Sequence, residues 1–257
     1  MMQLSKKDRL GWLFIFAAFC ILLLVGGAAY WSSKKTVLDE QTLCPLSGEK
    51  VRYAVLVDKS DKWGRGDVER VKDTLQSIYR DVPVQGRLAI YTITGKGRDS
   101  TDIKLVFDVC NPGSEAECNA LYSNCRKAKR DYKQAFEMPL RELVKSLKQP
   151  GETSFSPILK SVGTMVKDNK GEVLKLHIIS DFMENADVFS FYRAVPTAAK
   201  MVENYPLPKK AKISAAGYFI QRQMHPLSLQ NAVQKAWDSY FQEQNIQMEF
   251  TPFFETE

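Results

Sequence analysis

From residue 51 to residue 254 the sequence alternates short apolar runs with amphipathic stretches, and this alternation constrains the fold more than any other feature. Residues 51–57 form a near-continuous apolar run, as in a strand buried on both faces of a parallel sheet. Residues 67–81 carry Val68, Val71, Leu75 and Ile78 at helical spacing. Residues 86–94 read as the next strand and 102–109 as an edge strand beside it. A polar, cysteine-rich excursion follows at 110–133. Then come an amphipathic helix at 135–147, stopped by Pro150-Gly151, and a second at 155–166 with Pro157 in its first turn. Residues 172–181 are a second central strand, and 191–203 look helical but are interrupted by Pro196. A strand at 212–220, a helix at 227–244 and a final strand at 247–254 complete the pattern. It specifies an α/β domain, a doubly wound and mainly parallel sheet with helices on both faces. About 200 residues suffice for one such core.

Ahead of this domain lies an uncharged stretch, residues 11–31, long enough at helical rise for a bilayer core of about 30 Å. Trp12 and Tyr30-Trp31 stand at its two ends, where an aromatic belt would sit. Lys6, Lys7 and Arg9 precede it, while Lys34 and Lys35 follow. By a small margin the positive-inside rule favours a cytoplasmic tail (1–10), a transmembrane anchor (11–31), a stalk (32–50) and an exported domain (51–257). A cleaved signal peptide ending near Gly27-Ala28-Ala29 is the alternative, although a secretory apolar region usually runs about 7–15 residues. Phe19 before Cys20 argues against a lipoprotein cysteine. Both readings export the domain.

Cysteine usage points the same way. Cys20 lies in the apolar stretch, leaving Cys44, Cys110, Cys118 and Cys125 as an even set in the exported part. If 119–133 is one helix reaching back over Cys118, then Cys118 and Cys125 are about 10.5 Å apart by helix rise, beyond disulfide reach. The remaining options join Cys110 to Cys118 or to Cys125, with Cys44 taking the leftover. No Cys-x-x-Cys occurs, and His177 and His225 are far from the cysteines in sequence, which argues against zinc.

Three polar motifs fall just past a strand or at a helix start: Asp58-Lys59-Ser60, Gly151-Glu152-Thr153 and Ser180-Asp181. In an open parallel sheet, ligands bind outside the carboxyl ends of the strands. Two aspartates delivered there, with hydroxyls beside them, form a hard oxygen cluster suited to Mg²⁺ or Mn²⁺. The pattern resembles a von Willebrand factor A (vWA) domain, whose metal-ion-dependent adhesion site reads Asp-x-Ser-x-Ser, then a distant Thr, then a distant Asp. Asp58 and Ser60 match the first two positions, Thr153 the threonine that opens a helix, and Asp181 the later aspartate. The resemblance covers about residues 51–254 and implies a 3-2-1-4-5-6 strand order. It also implies a divalent cation on Asp58, Ser60, Thr153 and Asp181, completed by an acidic residue of a bound partner. Lys62 departs from the pattern, standing where the second serine belongs, and an ammonium has no acceptor to offer a metal. Either Lys62 turns to solvent and Asp61 or water fills the position, or its charge lies beside Asp58 and replaces the cation. Ser60, Thr153 and Asp181 also have plain structural roles open to them, as turn and cap residues.

The function expected on this basis is a membrane-tethered protein-binding module rather than an enzyme. Lys62, Trp63, Phe182 and Glu184 would meet a protein partner in the membrane or periplasm. Resemblance to membrane-anchored bacterial members implies a single-pass protein of a bacterial inner membrane, with a cytoplasmic N-terminus and a periplasmic domain. One alternative is a metal-independent scaffold of a membrane assembly, with 110–133 as its contact surface. Another is a metal-dependent hydrolase using Asp58, Asp61, Asp181 and Glu184, for which no general base or phosphate clamp can be named. Nucleophile-elbow, phosphate-loop and dinucleotide-binding motifs are lacking. A net charge of +6 is modest, so nucleic acid is not an expected partner. The basic run Arg126-Lys127-Ala128-Lys129-Arg130 with Lys133 reads as a solvated helix face or a dock for an anionic surface. Arg65-Gly66-Asp67 reads as the turn into a helix and His177 as a core histidine.

Overall fold

The computed structural model describes residues 6–33, 38–60, 63–93, 103–113, 124–146, 155–169, 172–209, 212–220 and 225–253. Asp61, Lys62, Cys118 and Thr153 lie outside the described residues. The chain forms two compact units, Met1–Val37 and Leu38–Glu257.

The first unit is one helix, α1 (Lys6–Ser33). Phe14, Phe16, Leu22 and Leu24 are among its exposed apolar side chains. Among the described residues, no helix is long and apolar enough to cross a membrane.

The second unit is built on a six-stranded sheet of β1 (Val51–Asp58), β2 (Arg87–Ile93), β3 (Ile103–Cys110), β4 (Val173–Ser180), β5 (Lys212–Ile220) and β6 (Met248–Phe253). Their order is β3-β2-β1-β4-β5-β6, with every neighbouring pair parallel except β2 and β3. This is the vWA-like order that the resemblance implies. Central strand β1 is buried on both faces, and alternate side chains serve two cores. Ala54 and Leu56 face the larger one, with Ile158, Val162, Met165, Trp237 and Phe241. Tyr53, Val55 and Val57 face the other, with Val71, Leu75, Ile78 and Phe136. The chain enters the sheet at the amino end of β1, so Asp58 emerges at the carboxyl edge between β2 and β4.

Seven helices are described in the chain: after α1 come α2 (Arg65–Asp81), α3 (Cys125–Asp131), α4 (Met138–Ser146), α5 (Ile158–Asp168), α6 (Ala198–Asn204) and α7 (Leu227–Gln242). Arg65-Gly66-Asp67 is the first turn of α2, where the Asp67 carboxylate accepts the Gly64 backbone N–H at 2.9 Å. The amphipathic stretch expected at 135–147 opens with a π-helical segment, Tyr132–Glu137, before α4. The helix expected across Pro196 is confined to α6, because Thr197 caps it by accepting the Lys200 N–H. Pro157 is the residue before α5 rather than part of its first turn.

The disulfide pairing needs correction. Cys44 is bonded to Cys110, not to Cys118 or Cys125. Cys125 is also disulfide-bonded. The expectation rested on one helix over 119–133, whereas α3 begins at Cys125, with Asn124 as its cap. Cys44 is brought to Cys110 by a turn at the start of the domain: Asp39 accepts from Thr42 N and Oγ1, and Cys110 N donates to Thr42 O at 2.8 Å.

Candidate functional site

Asp58 ends β1 at the carboxyl edge, and three serines from three parts of the chain close around it. The Asp58 carboxylate accepts the Ser60 backbone N–H at 3.0 Å on Oδ1. Its Oδ2 accepts the hydroxyls of Ser156 at 2.7 Å and Ser180 at 2.8 Å. Ser60 lies in the turn just beyond β1, Ser180 is the last residue of β4, and Ser156 precedes α5. All four residues are buried. Ser156 is fixed by a reciprocal pair of backbone bonds with Asn185, at 2.9 and 3.0 Å.

Asp181 follows directly, and its carboxylate accepts the Met183 N–H at 3.0 Å. Burial raises the Asp58 pKa above the usual carboxylate range, and the negative charge of Asp181 raises it further; the Ser60 and Ser156 hydrogen bonds oppose both. Two buried carboxylates thus repel each other within a set of hydroxyls. This all-oxygen donor set fits a hard divalent cation, which typically takes one or two protein carboxylates and keeps several waters. Among the described residues, no group of three His, Cys, Asp or Glu side chains comes together. A cation here would therefore depend on the hydroxyls as well as the two aspartates.

The residues after Asp181 do not form the partner surface that the sequence suggested. Phe182 is fully buried at φ 58°, against Phe219, Trp237 and Phe250, and its carbonyl accepts the Trp237 indole N–H at 3.0 Å. Glu184 is also fully buried. Its Oε2 accepts the Leu159 N–H at 2.9 Å, serving the first turn of α5 where Pro157 offers no side-chain cap. Its other oxygen, Oε1, has no hydrogen-bond partner among the described residues. Burial raises the Glu184 pKa to about 8, partly offset by the Leu159 and Ile158 N–H groups and reinforced by Asp58. Phe182 and Glu184 hold the loop from within; its solvent face instead carries Val188, 51% exposed, and Tyr192, 42% exposed. Trp63 is half-buried against the smaller core.

Sequence reasoning placed Asp58, Ser60 and Asp181 at this edge, and the structure brings them there. It missed Ser156 and Ser180 as partners of Asp58, though Ser180 lies inside one of the three motifs and Ser156 only three residues beyond another. His177 lies elsewhere, stacked between Tyr53 and Tyr218, with Nδ1 3.2 Å from the Tyr218 hydroxyl. Burial lowers its pKa to about 4, assisted by Lys175, so the ring is neutral at pH 7.

No family model and no curated protein matches the sequence. The fold is similar to that of the conserved hypothetical protein BatB from Bacteroides thetaiotaomicron, at TM-score 0.36 and 14% identity over 80% of this chain and 92% of that one. Proximal thread matrix protein 1 from the mussel byssus matches at TM-score 0.36 and 13% identity, over 79% of this chain and 44% of its own. The PilB minor pilin from Streptococcus sanguinis matches at TM-score 0.41 and 8% identity, over 81% and 58%. This chain thus spans less than two thirds of the last two proteins. Likeness at this level carries no argument about function. The strand order itself is that of a vWA-like, mainly parallel α/β sheet, and what its edge binds follows from this chain's own residues.

Proposed function

We propose that the chain is a membrane-tethered protein-binding module, not an enzyme, which offers the carboxyl edge of its sheet to a protein partner. The observation that carries this reading is the convergence of Asp58 and Asp181 with the hydroxyls of Ser60, Ser156 and Ser180 on a rigid sheet edge. Asp58, Ser60 and Asp181 would hold Mg²⁺ or Mn²⁺, with Thr153 joining them as the resemblance implies. The cation supplies a positive centre that an acidic residue of the partner can complete. Loops around a rigid scaffold are where binding specificity resides, and Val188 and Tyr192 give this one exposed contact area. The uncharged stretch 11–31 within α1 is the proposed single-pass anchor. The tail at 1–10 would then lie in the cytoplasm of a bacterium and the domain in its periplasm, where the Cys44–Cys110 disulfide is at home.

A second reading has its own support. Ser156 and Ser180 already satisfy Asp58 Oδ2 without any metal, as a metal-independent scaffold would require. Calorimetry with Mg²⁺ and Mn²⁺ on residues 38–257, beside Asp58→Ala, separates the two. Binding that disappears in the variant is the expected result; absence of heat with either cation leaves the scaffold reading. For partner contact, a photoreactive residue replacing Val188 should cross-link to neighbouring proteins in membranes, and Asp181→Ala should abolish those cross-links. Cross-links that persist unchanged in Asp181→Ala would remove the edge as the binding site.

A further inference from the structure

Helix α3 is unusual in having no buried residue at all. Arg126, Lys127, Lys129, Arg130 and, just beyond it, Lys133 are exposed, with Asp131 the one acidic residue between Cys125 and Phe136. Asp131 lies 3.6 Å from Arg130 Nε. A disulfide at Cys125 and the Asn124 cap, which accepts the Lys127 N–H at 3.2 Å, secure the start of this helix in place of core packing. Four cations thus sit on a helix that contributes nothing to the core, and Lys133 follows in the next turn, which gives this face a net positive charge.

Topology shows which end of the domain carries this charge. β3 runs antiparallel, so Cys110 pairs with Arg87 at the amino edge of the parallel strands. α2 descends to the same edge, where its last residue, Asp81, accepts the Tyr53 hydroxyl through its carbonyl at 2.8 Å. Tyr132, which directly follows α3, meets Tyr79 near that end of α2, whereas Leu140 and Val144 line a groove with Val68 and Lys72 nearer its start. α3 therefore lies toward the amino edge, opposite the Asp58 site. The chain also enters the domain there, at the turn bonded to Cys110. Only four residues of sequence, 34–37, separate the end of α1 from Leu38.

We propose that α3 docks the amino edge of the domain on the anionic phospholipid headgroups of the membrane that tethers it, leaving the Asp58 edge turned outward. This inference rests on the reading of α1 as an anchor. Each basic residue close to an anionic surface is worth about 1 kcal/mol, or about fivefold in binding. The attraction is short-ranged, fading over a Debye length of about 10 Å at 0.1 M salt. That range suits a helix on the edge where the tether enters.

The test is co-sedimentation of residues 38–257 with vesicles, since all six strands, both cores and the Cys44–Cys110 disulfide lie within this unit. Vesicles of phosphatidylcholine with about one quarter phosphatidylglycerol should bind the domain, phosphatidylcholine alone should not, and raised salt should release it. The triple variant Arg126→Gln/Lys127→Gln/Arg130→Gln should bind about a hundredfold more weakly. It removes no buried side chain, and near-ultraviolet circular dichroism confirms that it folds. Equal binding by the variant, or no binding to the anionic vesicles, overturns the proposal; in the second case the charge of α3 is left for an acidic protein surface. Failure of the anchor reading shows separately, as release of the full chain from membranes by alkaline carbonate while the isolated domain still binds vesicles.

Discussion

Glu184 is the residue whose chemistry is most out of balance with its surroundings. Fully buried, with one oxygen capping α5 and the other without a partner among the described residues, it holds its proton up to pH about 8 against an ordinary 4.5. Between those values the unfolded chain has released the proton and the folded chain has kept it. Stability therefore falls as pH rises from about 4.5 to about 8, by up to about 1.4 kcal/mol per unit. Glu184→Gln retains an acceptor for the Leu159 N–H and cannot titrate. It should flatten the pH dependence of urea midpoints across that window, whereas Glu184→Ala should also lose the cap at every pH, at a cost of about 1 kcal/mol. A slope unchanged in Glu184→Gln would remove Glu184 as its source. At this scale the sequence was only partly legible. Asp58, Ser60 and Asp181 stood out because strand ends announce them. Ser156 and Ser180 did not, because their partner lies 98 and 122 residues away and a serine at a strand end or helix start has ordinary local uses. Phe182 and Glu184 misled for the opposite reason: sequence places them on the loop, and only packing turns them inward.

Elements were more legible than their ends. All six strands were readable, the central ones because a parallel strand buried on both faces needs a continuous apolar run, while their order came from the vWA resemblance. The starts of α3 and α5 were not. The first depends on the Asn124 cap, and the second is fixed from a distance by Glu184. The misplaced start of α3 led directly to the wrong disulfide pairing. In the observed pairing, Cys44–Cys110 closes a loop across 66 residues that contains β1, α2, β2 and β3. A crosslink of that span typically contributes about 2–4 kcal/mol, mainly by restricting the unfolded chain. Cys44→Ser/Cys110→Ser should lower the unfolding free energy of the domain by that amount in guanidinium titrations. A loss below about 0.5 kcal/mol would mean that the Thr42–Cys110 and Asp39 bonds hold the turn closed unaided.

At the scale of the molecule, the alternation of β1 side chains makes two cores into one cooperative object. Ala54 and Leu56 belong to one face and Tyr53, Val55 and Val57 to the other, so neither core survives loss of the strand they share. The sequence supplies a probe for each. Trp237 is buried in the larger core and Trp63 packs against the smaller, while Trp12 and Trp31 lie outside residues 38–257. In that unit, Trp63→Phe leaves a reporter of one face and Trp237→Phe a reporter of the other. Each substitution shifts stability by itself, so the comparison lies within each background. Adding Val162→Ala, a deletion in the larger core alone, should cost about 1–3 kcal/mol. One cooperative sheet moves the fluorescence midpoint in both backgrounds by the same free energy, although Val162 touches only one core. If Trp63 fails to respond to Val162→Ala while Trp237 does, the faces unfold separately. A rigid edge positioned by one sheet would then lose its physical basis, because Asp58 could not be held in register with both Ser156 and Ser180 through the opening of either face.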